Sequence, residues 1–84
     1  MNTIDLKEQV RRALQTEWPA FALNHPRVAA VLDETLLLEP AIAALNDDPD
    51  FREAMETAAE IGAAAEAVAD IVRSTVSKWL RRLL

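Results

Sequence analysis

The sequence predicts an all-α protein: a small helical bundle with two short N-terminal helical segments, the second kinked at Pro40, and one long C-terminal helix. Three observations carry this. The chain of 84 residues holds one glycine, no tyrosine and four aromatic residues, while half its residues are hydrophobic and alanine supplies much of that share, a composition suited to helices. Apolar residues recur at helical spacing through most of the chain. Finally, the last 36 residues carry an unbroken 4-3 stripe.

The length allows one domain over residues 1–84, with a core that is marginal unless it is well packed or shared between subunits. The chain has no cysteine, so neither a disulfide nor a thiolate metal site can support it. That absence suits a cytoplasmic protein. The N-terminal sequence MNTIDLKEQVRR places charges where a secretory signal would be apolar. Charges also interrupt every window of the length that a membrane-spanning helix needs.

The first helix is expected to start after Thr3 as N-cap, with Asp5 in its first turn. Leu6, Val10, Ala13 and Leu14 form its buried face. Pro19 should end it, because Trp18, preceding a proline, is biased away from helical geometry. Trp18 to Asn24 then reads as an apolar loop, with Trp18, Phe21 and Leu23 tucked onto the core. The second helix begins near Asn24 or His25 with Pro26 in its first turn, where a missing N–H costs little. Val28, Val31, Leu32, Thr35 and Leu36 or Leu38 make one face. The run Leu36-Leu37-Leu38 is apolar around more than half the helix, more than one neighbour requires. Pro40 breaks or kinks the helix, and Ile42 and Leu45 continue inward to Asn46.

Asn46-Asp47-Asp48-Pro49-Asp50 is the strongest punctuation. Asp48 is a good N-cap, Pro49 suits the first helical position, and Asp50 and Glu53 favour the positive end of the helix dipole. From there the pattern predicts a continuous helix to Leu84, about 54 Å long. Gly62 costs it about 1 kcal/mol relative to alanine. Basic residues crowd its last turns.

The stripe on this helix is Phe51, Met55, Ala58, Gly62, Ala65, Ala69, Val72, Val76, Trp79 and Leu83, the spacing of a coiled-coil seam. Ala54, Ile61, Val68, Thr75, Ala59 and Leu80 flank it, so the apolar face is wide enough for the N-terminal segments to cover one side. Its middle is small and its ends are bulky. Two copies paired antiparallel about Ala65 would set small against small. That register places Phe51 near Trp79 and Met55 near Val76. It also carries Arg81 and Arg82 toward Asp48 and Asp50, Lys78 toward Glu53, and Arg73 toward Glu56 and Glu60. A parallel pairing would stack acid on acid. The expected assembly is therefore an antiparallel homodimer, with Leu37 and the stripe as contact surface.

Charge is strongly polarised. Residues 1–27 carry +1, residues 28–72 carry −10 with Arg52 the one cation, and residues 73–84 carry +4, which together give the net −5. Nucleic acid is not an expected partner, since the acidic middle repels phosphate. The same acidity could imitate nucleic acid toward a basic partner.

No residue constellation announces chemistry. His25 has no acidic or histidine partner at ligand spacing and reads as a surface or capping histidine. Glu53, Glu56 and Glu60 share a helical side, and Glu66 and Asp70 are four apart. Bundle metal sites add a Glu-x-x-His element, which the sequence lacks, so these read as a solvated acidic face. Ser74, Thr75 and Ser77 have no base nearby, and one glycine cannot form a phosphate loop. The expectation is a non-enzymatic protein without cofactor or metal: an interaction, assembly or regulatory module acting through helix packing. The alternative is a peripheral membrane protein. In residues 77–84, Lys78, Arg81 and Arg82 interleave with Trp79, Leu80, Leu83 and Leu84, as membrane-surface helices do.

Overall fold

The computed structural model describes residues 6–83. Five helices follow one another: α1 (Leu6–Asn24), α2 (Pro26–Val31), α3 (Glu34–Asp47), α4 (Pro49–Glu60) and α5 (Ala65–Arg82). No strand occurs among the described residues. The all-α bundle expected from composition and periodicity is what forms, but Pro19 and Gly62 act differently from expectation.

In α1 the anticipated face is buried: Val10, Ala13 and Leu14, with Leu6 packed at its edge. The expected Thr3 cap and Asp5 lie outside the described residues. Glu8 occupies the first turn. Its carboxylate is held below the usual range chiefly by the hydrogen bond from Arg11, with a further one from Arg12. The helix does not end at Pro19 but continues to Asn24. An interior proline costs about 3 kcal/mol through its lost hydrogen bond and steric clash. Against this, Phe21 is buried and Trp18 packs on the core, with the two rings stacked at 5.2 Å. Burial of one such side chain returns about 1.5–3 kcal/mol, so the pair offsets the proline. Helical geometry then corrects the expectation for Leu23. Residues 18 and 21 share a face, and two residues further on the chain points outward, leaving Leu23 82 % exposed.

Pro26 does open α2, at the first helical position as expected, but α2 lasts only to Val31. The predicted continuation fails at Leu32 and Asp33. Asp33 takes extended geometry and its carboxylate accepts a 3.0 Å hydrogen bond from the Leu36 N–H, capping a new helix. That helix, α3, continues past Pro40 to Asp47, so of the expected break or kink the break does not occur. Leu37, Ala41 and Leu45, four residues apart, are its buried line, and their packing on α1 outweighs the proline. Pro40 and Leu36 both face solvent, where the Leu36 carbonyl that loses its N–H partner can be hydrated.

The Asp48-Pro49 start is as anticipated: the Asp48 carboxylate accepts from the N–H groups of Asp50 (2.9 Å) and Phe51 (3.3 Å). The continuous C-terminal helix is not. It breaks at residues 61–64, where Gly62 adopts φ +63°, the left-handed region. The Ala63 N–H bonds the Ala58 carbonyl at 2.9 Å and the Gly62 N–H bonds the Ala59 carbonyl at 3.3 Å. This is the Schellman pattern that ends a helix on glycine. A straight helix of 36 residues would need about 54 Å, whereas the longest dimension of the molecule is 42 Å.

Beyond the break the chain folds back, so that α4 and α5 form an antiparallel hairpin. Phe51, Val72 and Val76 enter one core, with Met55 and Trp79 packed against it, and Lys78 Nζ reaches Asp48 Oδ2 at 3.9 Å. An antiparallel pairing of helices thus forms within one chain, about Gly62. Its charge pairs differ in detail. Lys78 meets Asp48 instead of Glu53, and Arg73 pairs with Asp70 of its own helix at 2.9 Å.

Candidate protein interface

The residues expected to form a contact surface divide into three groups. Leu37, Phe51, Ala58, Val72 and Val76 are buried in the chain's own structure, and Met55 and Trp79 pack beside them. These hold the fold together, while Met55 and Trp79 keep part of their surface. Ala69 and Ala65 line a cleft of about 300 Å³ between α5 and α1, opposite Ala13; here small residues let two helices of the same chain approach. Gly62, Ala65 and Leu83 keep exposed surface.

The broken helix exposes different apolar surface. Along the outside of the α4–α5 hairpin runs a groove of about 490 Å³. Its floor and walls are Ala54, Thr57 and Ala58 of α4, Ile61 and Ala63 of the connection, and Ala67 and Ile71 of α5, with Asp50 and Glu53 at its open end. Ile61, an apolar side chain of this size, is 74 % exposed. The local cause is visible in the sequence: α4 carries one apolar line at 51, 55 and 58 for the core and a second at 54, 58 and 61, so its apolar face is wider than its own core requires. The sequence reading recognised that width in the flanking positions but assigned it to the N-terminal segments.

A second groove, of about 380 Å³, lies where α1, α2 and the end of α5 meet. Phe21, Val28, Val31, Leu32, Leu37 and Leu83 line it together with Arg27. Val31 is 76 % exposed, a consequence of the Leu32-Asp33 break, which turns α2 away from the face it was expected to share with α3.

Chemistry-bearing groups are scattered. His25 is half-buried at the α1–α2 junction, its ring 5.0 Å from that of Phe21. Among the described residues no polar side chain is buried and no group of three or more His, Cys, Asp and Glu residues could hold a metal ion. Ser74 is exposed, and the Thr75 hydroxyl donates to the Ile71 carbonyl at 2.9 Å, a bond within its own helix. No described helix is long and apolar enough to cross a membrane. In residues 77–83, Leu80 is buried and Trp79 half-buried, so the apolar side of this segment is largely turned inward; Leu84 lies outside the described residues.

These features define a small all-α bundle with open apolar grooves between helices. No protein-family model matches the sequence, and neither a curated protein nor a solved structure is significantly similar to it.

Proposed function

We propose that this protein is a non-enzymatic interaction module of the cytoplasm that binds another protein by helix packing. The observation that carries the reading is the groove along the α4–α5 hairpin. Six of its nine lining residues are alanine or isoleucine, and the polar ones are Thr57 and two carboxylates, Asp50 and Glu53, with no convergent set of groups to orient a small substrate. Exposed apolar surface of this kind, rimmed by charge, marks a contact surface more often than it marks solvent-facing structure. Photo-crosslinking tests this directly. A photoreactive residue at Ile61 should give discrete protein adducts in cells, and one at the exposed Ala43 on α3 should not. Adducts with lipid alone, or equal labelling from both positions, would reject the reading.

The membrane-surface alternative retains one supporting observation: Leu83 and Val31 share the second groove with Arg27, and Arg81 and Arg82 occupy the last turn of α5. Deleting residues 77–84 would not test it, because Leu80 is part of the core. Co-sedimentation with anionic vesicles, comparing the native chain with Leu83→Ser, tests it without disturbing the fold.

A further inference from the structure

We propose that the α4–α5 groove takes a cationic amphipathic helix belonging to a different protein. The inference rests on the interaction-module reading and names the chemistry of its partner. The groove lies between two antiparallel helices, and Ala54, Ala58, Ala63 and Ala67 make it shallow-walled and free of bulky obstruction, with Ile61 and Ile71 at its margins. Small side chains let a third helix approach closely, its ridge of larger residues filling the space that the alanines leave. From Asp50 to Ile61 the groove follows α4 for about 16 Å, three turns of a docked helix.

Charge selects the partner. Residues 49–71 hold six acidic residues and one cation, Arg52. Asp50 and Glu53 line the groove itself. Arg52 is turned aside, its Nε donating to the Asn46 carbonyl at 2.9 Å. Of the nearby cations on α5, Arg73 is paired with Asp70 and Lys78 with Asp48, and Arg82 shares a separate cleft with Asp50, which leaves Glu53 as the groove carboxylate that selects charge. A second copy is a poor occupant. Laid antiparallel across the groove, its loop end would bring Glu60 and Glu66 toward Asp50 and Glu53, acid against acid. An anionic membrane meets the same repulsion. Lysines or arginines flanking an apolar ridge meet the complement they require.

The test uses the full chain and a synthetic leucine–lysine amphipathic helix of about 18 residues, long enough to span the groove with a turn to spare at each end. A leucine–glutamate helix of equal apolar face and anionic vesicles are the comparisons. The lysine helix should bind, weaken as salt is raised, and lose about tenfold or more in affinity to Ile61→Asp and to Glu53→Lys, while Glu39→Lys, exposed on α3 and outside the groove, leaves affinity within about twofold. Equal binding of both helices, or equal loss in all three variants, overturns the proposal. So does a doubling of mass by light scattering that Ile61→Asp abolishes, which would make a second copy the occupant. In those cases the groove still binds helices and the interaction reading stands. Binding to vesicles alone would sink both.

Discussion

At the scale of the residue, Gly62 decides the shape of the C-terminal half. A Cβ built at this position meets no atom within 4 Å, so the site does not need glycine for space. It needs glycine for the backbone, at φ +63°. This separates the two readings of the chain by sign. In a continuous helix, Gly62→Ala would stabilise by about 1 kcal/mol, through higher helix propensity. At a left-handed helix end the same change forces Cβ against the carbonyl and destabilises by about 1–2 kcal/mol. We expect destabilisation, measured by urea unfolding with an unchanged slope. A gain in stability would restore the single long helix and remove the hairpin groove with it.

At the scale of the element, what was legible depended on whether the decisive interaction was local. The Asp48-Pro49 helix start is local: a carboxylate, two N–H groups and a proline fixed at the right φ, all within four residues, and the sequence showed it. The inward line of α1 was legible for the same reason, since spacing alone defines it. Pro19 does not end its helix and Pro40 does not break its own because the outcome at a proline is not local. Each carries a penalty that its own helix cannot offset, and each is outweighed by side chains whose partners lie on other helices: Phe21 and Trp18 in one case, Leu37, Ala41 and Leu45 in the other. The break at Asp33 was missed because apolar spacing runs through it unchanged, and a single capping carboxylate overrode the pattern. The caps also yield a measurable expectation. Asp48→Ala should cost about 1–2 kcal/mol, since it leaves the N–H groups of Asp50 and Phe51 without their acceptor. Asp48→Asn should recover most of it, because the amide oxygen caps nearly as well and only the 3.9 Å ion pair with Lys78 is lost, worth about 0–1 kcal/mol on a surface. If Asn behaved like Ala in thermal and urea unfolding, the ion pair rather than the cap would be what anchors α4.

At the scale of the whole molecule, the stripe that suggested a dimer seam lies on two helices rather than one. Phe51, Met55 and Ala58 serve α4, and Val72, Val76 and Trp79 serve α5; both turn into one core about a glycine hinge. The polarity of charge gives an ion pair across the hairpin, Lys78 with Asp48 at 3.9 Å. It leaves a cost as well. On the outer surface Asp50, Glu53, Glu56 and Glu60 succeed one another at three- and four-residue spacing along α4, where like charges destabilise by about 0.2–0.5 kcal/mol per pair. Glu56 is exposed and takes part in two such pairs, with Glu53 and Glu60, which Glu56→Lys converts from repulsion to attraction, while its i,i+4 pair with Arg52 turns repulsive. The net gain should be about 0.5 kcal/mol, or about 2–4 °C in Tm for a domain of this size, and should shrink as salt is added. Glu56 is outside the groove lining but adds to its acidic field, so its reversal should weaken helix binding less than reversal of Glu53. Glu53 lies in the groove, and its reversal should trade binding away. If Glu56→Lys failed to raise Tm at low salt, the acidic face would not be a strained one, and a cationic partner would have no repulsion there to relieve.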